Sequence, residues 1–235
     1  MIFDMPNNTT SNDDIAVFDM QYNSLLDPAW YSITHLPRSA DYATILKNVH
    51  LASDDVVLDV GGACSYFAHF ISPLVREVHL IDSLTGFSCG KPWLASMDTL
   101  KSPVRIIEAN AAVLPYPDET FNKVFTFSAL EHFVDDDDIK CVQEIYRVLK
   151  PGGIFAGTVD YNAITERPYG IASICKTYTL RTFFQRIVLA AEFWPVGKVS
   201  LLKIPERVTY DTASLLFVLS KGIPRGCVLD VGGKT

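Results

Sequence analysis

The stretch Leu114–Gly153, LPYPDETFNKVFTFSALEHFVDDDDIKCVQEIYRVLKPGG, decides the fold. A proline-punctuated connection leads into Val124-Phe125-Thr126-Phe127, a β-branched and aromatic run that reads as a buried strand. Ser128 to His132 then put a hydroxyl, a carboxylate and an imidazole just past the strand's carboxyl end, where open α/β sheets bind their ligands. Asp135 to Asp138 carry charge that suits a helix N-terminus, and the apolar positions Ile139, Val142, Ile145, Tyr146 and Leu149 continue with helical spacing. Lys150-Pro151-Gly152-Gly153 reads as that helix's stop, a cation in the last turn followed by a breaker and two glycines. Ile154–Val159 is the next apolar strand.

Working outward, Asp55–Val60 and Glu77–Asp82 read as strands, Arg105–Glu108 as a weaker one, and Ser214–Leu219 as a last apolar run. Helical patterns cover Asp41–Val49, Tyr66–Ser72 and Leu180–Ala191. Strands alternating with helices predict an α/β domain with a parallel sheet. The hexapeptide VLDVGG occurs at Val57–Gly62 and again at Val228–Gly233, with no similarity beyond it, so no repeat is assigned.

The LPYPDETFNKV segment, the LEH loop and the RVLKPGG turn, at this spacing, resemble the class I S-adenosylmethionine-dependent methyltransferases, in particular the small-molecule, type 11-like group. The resemblance covers roughly residues 50 to 160 and implies a Rossmann-like three-layer sandwich. Its sheet would have seven strands, mostly parallel, with the last antiparallel. It implies S-adenosyl-L-methionine as cofactor, no metal, and a small-molecule methyl acceptor. Asp59-Val60-Gly61-Gly62-Ala63-Cys64-Ser65 aligns with the family's D-x-G-x-G-x-G loop, which assigns Asp59, Gly61, Gly62 and Ala63 to the cofactor. Ala63 and Ser65 replace family glycines, and a left-handed backbone there would cost about 1–2 kcal/mol per residue. Asp82, closing the second strand, is placed for both ribose hydroxyls. Asn110 and Ala111 match the pair that meets adenine, with asparagine in place of aspartate.

Ser128 to His132 would form the wall where methyl donor meets acceptor, with Ser128 on the cofactor side. His132 is the candidate general base by its intrinsic pKa, with Glu131 beside it. The alternative is that Glu131 and His132 orient the loop or help hold the cofactor. Asp160 and Tyr161 are further candidates for acceptor contacts. Residues 1–36 read as an N-terminal extension, in part disordered, that either folds over the cofactor as a lid or packs its aromatics on the core. Residues 37–235 read as the methyltransferase domain, with a substrate-capping insertion around 161–212.

Composition bounds the partners. The net charge is −7 and no basic stripe occurs, which argues against nucleic acid. Five cysteines without CxxC spacing suit a reducing compartment, with neither disulfide framework nor zinc. No signal peptide or membrane span is read, so a soluble, cytoplasmic protein is expected. The altered glycine loop, and Asn122 where the family carries aspartate, keep a rival open. That rival is a non-methylating protein of the same fold, acting as a binding partner or a cyclase-type enzyme.

Overall fold

Five runs of β-branched and aromatic residues assemble side by side into the parallel part of one eight-stranded sheet in the computed structural model. It describes residues 39–84, 90–162, 176–197, 199–202 and 213–222. The strands are β1 (Val56–Val60), β2 (Glu77–Asp82), β3 (Arg105–Glu108), β4 (Phe121–Phe127), β5 (Leu149–Tyr161), β6 (Trp194–Pro195), β7 (Ser200–Leu202) and β8 (Ala213–Ser220). Their order is β3-β2-β1-β4-β5-β8-β6, with β7 also on β8. All five residues of β1 are buried, as a parallel strand covered on both faces requires.

Alternate residues feed two cores. Leu58, Val60 and Val124 pack on one face with α4 (Asp137–Val148) and the short α5 (Leu180–Phe183). Val57, Leu80 and Phe125 pack on the other with α1 (Ser39–Asn48), α2 (Phe67–Ile71) and α3 (Gly90–Thr99). This is the three-layer sandwich expected. β8 runs antiparallel to β5, in register from Ile154↔Ser220 to Tyr161↔Ala213.

Three expectations are corrected. The sheet has eight strands where seven were expected, because β6 and β7 lie end to end along the outer edge of β8. The Lys150–Gly153 stop belongs to β5. Helix α4 ends at Val148, Leu149 turns extended, and the two glycines exchange hydrogen bonds with Lys221 beyond β8 (Gly152 N to Lys221 O, 2.8 Å; Lys221 N to Gly153 O, 2.9 Å). The helical pattern from Leu180 is an α-turn followed by a π-helical turn over Phe184–Val188. Residues 1–36, most of the middle of the 161–212 insertion, and the second VLDVGG lie outside the described residues. Among the described residues no helix is long and apolar enough to cross a membrane, and no group of His, Cys, Asp and Glu could hold a metal ion.

Asn122 acquires a structural role. Its Oδ1 accepts from Val56 N and from Lys150 Nζ, both at 3.0 Å, and so joins the starts of β1, β4 and β5. An acceptor oxygen is what the position needs, and asparagine supplies one as well as aspartate does.

Candidate active site

The site is fixed by the sheet order. β1 has β2 on one side and β4 on the other, so chain direction across the sheet reverses between β1 and β4, and the connections leaving their carboxyl ends splay apart above a crevice. The loops after β1 and β4 touch there: a Cβ built on Gly61 would fall 2.4 Å from Ala129 Cβ. Gly61 also has φ +71, and its N–H bonds Ile81 O at 2.8 Å. Only glycine satisfies both demands. Gly62 is required for another reason, since a Cβ there would fall 2.2 Å from Asp59 Oδ2.

The rest of the loop differs from the expectation of strain at Ala63 and Ser65. Among the described non-glycine residues of the loop, the left-handed one is Cys64, at φ 63. Ser65 is held by its neighbours. Its Oγ accepts from Tyr42 Oη of α1 at 3.2 Å and from Phe67 N at 3.0 Å, and its carbonyl accepts from Trp93 Nε1 of α3 at 2.7 Å. Trp93 is fully buried. Side chains from two helices therefore fix a loop that glycines alone would shape. Cys64 is disulfide-bonded, which corrects the reading of the cysteines as unpaired, while Cys141 of α4 is a buried free thiol.

Asp82 ends β2 beside this loop, partly exposed. Its Oδ2 accepts from Ala63 N at 3.1 Å and its Oδ1 from Leu84 N at 2.8 Å, so the carboxylate is oriented by two backbone donors and keeps lone pairs free. Asn110 follows β3, exposed, and its Oδ1 accepts from Ala112 N at 2.9 Å in a tight local turn. That turn buries Ala111 in the core beneath. Asp59 is 1% exposed, and neither of its oxygens has a hydrogen-bond partner among the described residues. Burial first, and the charge of Asp82 second, push its carboxyl up to about 8.

Across the crevice, Ser128 takes φ 45, its N–H bonds Thr158 O at 2.9 Å, and its Oγ lies 3.4 Å from Asp160 Oδ1. Leu130–His132 form a single 3₁₀ turn. Glu131 is fully buried and His132 half-buried. The structure thus brings Ser128, Glu131, His132 and Asp160 to the same end of the sheet.

Sequence reasoning missed what holds this wall. Asp138, in the first turn of α4, is fully buried. It accepts from Arg186 Nε at 2.8 Å, from Tyr178 Oη at 2.8 Å and from Lys176 Nζ at 3.1 Å. Tyr178 Oη also lies 3.3 Å from Leu130 O, and Lys176 N bonds Glu131 O at 2.7 Å. Tyr178 N bonds Asp160 O at 2.8 Å, so the segment 176–178 is stitched between the turn after β4 and the end of β5. Burial acts to raise the Asp138 carboxyl, but hydrogen bonds from Arg186 and Tyr178 and the charges of Lys176 and Arg186 hold it below its ordinary value. The signal was present: Asp138, Cys141, Val142, Ile145 and Val148 share one helical face, so this aspartate points inward with the apolar stripe.

Comparison with known proteins finds likeness in sequence and in fold. Residues 58–157 match the family model described as a methyltransferase domain. A ubiquinone/menaquinone biosynthesis C-methyltransferase, UbiE, of Pasteurella multocida is 36% identical over 101 residues, covering 41% of this chain and 37% of that protein. Two solved structures share the fold. The 1,6-didemethyltoxoflavin-N1-methyltransferase of Burkholderia thailandensis, holding S-adenosylhomocysteine, superposes with a TM-score of 0.63 at 19% identity over 94% of each chain. The [4+2]-cyclase SpnF superposes with a TM-score of 0.65 at 15% identity, over 89% of this chain and 97% of its own. Residues 58–157 thus carry a likeness to methyltransferase domains, and the fold is shared with solved structures that include a methyltransferase holding S-adenosylhomocysteine. The chain spans less than half the length of the curated relatives it matches.

Proposed function

We propose that this chain is an S-adenosylmethionine-dependent methyltransferase acting on a small organic acceptor. The observation that carries the reading is the meeting of two loops at the switch point. The glycine loop after β1 and the polar turn after β4 touch at Gly61 and Ala129, with Asp59 and Asp82 flanking them. The residues fit the cofactor: two positions exclude a Cβ, an oriented acid closes β2, and a buried carboxyl under the loop has no other partner among the described residues. Asp82 would take the ribose hydroxyls, Gly61, Gly62 and Ala63 would let the backbone approach, and Asn110 with Ala111 would line the adenine side. When bound, S-adenosylmethionine supplies a methyl group already activated by its sulfonium.

The chain's own task is then alignment, which is worth about 7–11 kcal/mol when a nucleophile is held in line, and proton removal where the acceptor is a hydroxyl or ammonium. Asp160 and Glu131 stand in the wall that would orient the acceptor, with Ser128 on its cofactor side and residues 176–188 pinned behind it. His132 stands in the same turn as the candidate base. The likeness to a C-methyltransferase adds activated carbon to the oxygen and nitrogen acceptors worth screening.

The rival is a protein of this fold that transfers no methyl group, as the superposition on a [4+2]-cyclase keeps in view. Both motives for it weaken on the structure, because Asn122 serves the strands and Ser65 is held by Tyr42 and Trp93. The test is calorimetric titration with S-adenosylhomocysteine, followed by a radiolabelled methyl-transfer screen over small hydroxylated, amine and activated-carbon compounds. With an acceptor in hand, His132→Gln should lower turnover by roughly 10²–10⁴ and leave cofactor affinity nearly intact. A saturated rate within about threefold of wild type would remove His132 as base and leave alignment as the source of rate. Binding without any methyl transfer would favour the rival.

A further inference from the structure

Cys64 stands where a turn asks for glycine. Ser65 N bonds Gly62 O at 3.2 Å, closing a turn from Gly62 to Ser65 in which Cys64 is the third residue and has φ 63. Glycine ordinarily supplies a positive φ at that position, because a Cβ makes the left-handed backbone costly. The turn is anchored on both sides of Cys64. Ala63 N bonds Asp82 Oδ2 at 3.1 Å, and Ser65 is gripped by Tyr42, Phe67 and Trp93. What holds the Cys64 side chain is a disulfide. Cys141 is free, so among the chain's five cysteines the partner is Cys89, Cys175 or Cys227, all outside the described residues. Cys64 is itself half-buried, which leaves it within reach of a small reductant. A covalent tether therefore sits on the one residue of the turn whose backbone would leave its conformation if released.

Resting on the methyltransferase reading, we propose that this disulfide is a redox switch on cofactor binding: oxidised, it holds the loop in the shape that takes the cofactor, and its reduction lets the loop relax and weakens that binding. The reductant is a dithiol. One of its thiolates attacks the S–S bond to form a mixed disulfide, and the other resolves it. Cys64 and its partner end as two thiols, having gained two electrons and two protons, and the dithiol ends as its own disulfide. Freed of the tether, Cys64 returns to negative φ. Ser65 is the fixed end, so the rotation swings Ala63 and its N–H away from Asp82, the acid that would meet the ribose. The expected loss is that of holding one residue left-handed without help, about fivefold to thirtyfold in affinity.

The experiment is calorimetric titration of the full chain with S-adenosylhomocysteine, once oxidised with glutathione disulfide and once reduced with dithiothreitol. Alkylation of free thiols and peptide mass mapping score Cys64 in each sample. The oxidised chain should have Cys64 protected from alkylation and bind about fivefold to thirtyfold tighter than the reduced one, and reoxidation should restore the affinity. Cys64→Ser should bind as the reduced chain does and ignore dithiothreitol. Cys64→Gly, which takes a positive φ without a tether, should recover most of the oxidised affinity and ignore dithiothreitol too. A disulfide serving stability alone would lower the urea midpoint in both variants and leave their affinities equal. If neither variant folds, the contrast between the oxidised and reduced wild type decides. Cys64 alkylated in the oxidised chain, equal affinity in the two redox states, a response of Cys64→Ser to dithiothreitol, or Cys64→Gly binding no better than Cys64→Ser would overturn the proposal. Failure of S-adenosylhomocysteine to bind the oxidised chain, the reduced chain and both variants would instead overturn the methyltransferase reading and this inference with it.

Discussion

Ser65 shows how a residue can replace a glycine without inheriting its backbone. The left-handed conformation in this loop falls on Cys64, and Ser65 is gripped by Tyr42, Phe67 and Trp93, so there is no strain at Ala63 or Ser65 for glycine to relieve. Ala63→Gly should therefore shift affinity for S-adenosylhomocysteine by no more than about fivefold, by titration, because one added backbone freedom costs roughly 0.5–1 kcal/mol. Trp93→Phe should do more. It leaves the part-buried Ser65 carbonyl without its indole donor, which costs about 0.5–1.5 kcal/mol, and both denaturation midpoint and affinity should fall. An affinity gain on Ala63→Gly larger than that of any stabilised loop would mean the resting loop is misshapen. Asp82 is the second test at this scale. Asp82→Ala removes the acid that orients Ala63 and Leu84 and would meet the ribose, and charge-assisted hydrogen bonds are worth about 1.5–3 kcal/mol each. Binding should weaken by an order of magnitude or more, and unchanged affinity would remove Asp82 from the site.

Between elements, the inward aspartate of α4 is the tie that fixes the turn after β4 to residues 176–186. Asp138 gathers Tyr178, Lys176 and Arg186, and Arg186 Nη2 also reaches Asp136 Oδ1 at 3.0 Å and Asp135 O at 2.9 Å. Arg186→Met leaves a buried carboxylate short of its strongest partner, a loss of roughly 3–5 kcal/mol for a broken buried pair. The folded-state value of Asp138 is depressed, so its contribution is present above the ordinary carboxylate range and is lost as pH falls through the folded value. The gap between wild type and Arg186→Met in urea denaturation should accordingly be widest at pH 6–7 and shrink below about pH 4. A gap independent of pH would assign the loss to packing of the arginine stem. This tie was only half legible in the sequence. The period of α4 marks Asp138 as inward, but its partners lie about forty to fifty positions on, in a segment whose pattern says nothing of pairing. The strands are a contrast. Glu77–Asp82 and Arg105–Glu108 were readable to the residue because each is a short run whose neighbours break it, whereas Lys150–Gly153 misled because its pairing with Lys221 is set by β8, seventy positions away.

For the whole molecule, the alternation of patterns made a mostly parallel sheet legible and the resemblance added the antiparallel last strand, whereas the strand order and its reversal between β1 and β4 are set by pairings that no local pattern expresses. What alternation cannot express is charge state, since a buried Asp inside VVLDV reads the same whether ionised or neutral. The chain's stability should report it. The folded value of Asp59, about 8, lies above the ordinary carboxylate value, so between the two the folded chain holds a proton that the unfolded chain has lost. Its contribution is fully present below about pH 4 and is lost as pH rises toward 8, by up to about 1.4 kcal/mol for each pH unit. Paired acids such as Asp138 and Glu144 run the opposite way and lose their contribution in acid, so the wild-type profile alone mixes the two. Comparison with Asp59→Asn separates them, because the variant keeps every paired acid and cannot titrate at position 59. Measured without ligand by urea denaturation from pH 5 to 9, wild type should lose ground to the variant steadily up to about pH 8 and hold a constant difference beyond it. A constant difference across the whole range would mean that Asp59 is already ionised at pH 5, and that a donor outside the described residues compensates its burial.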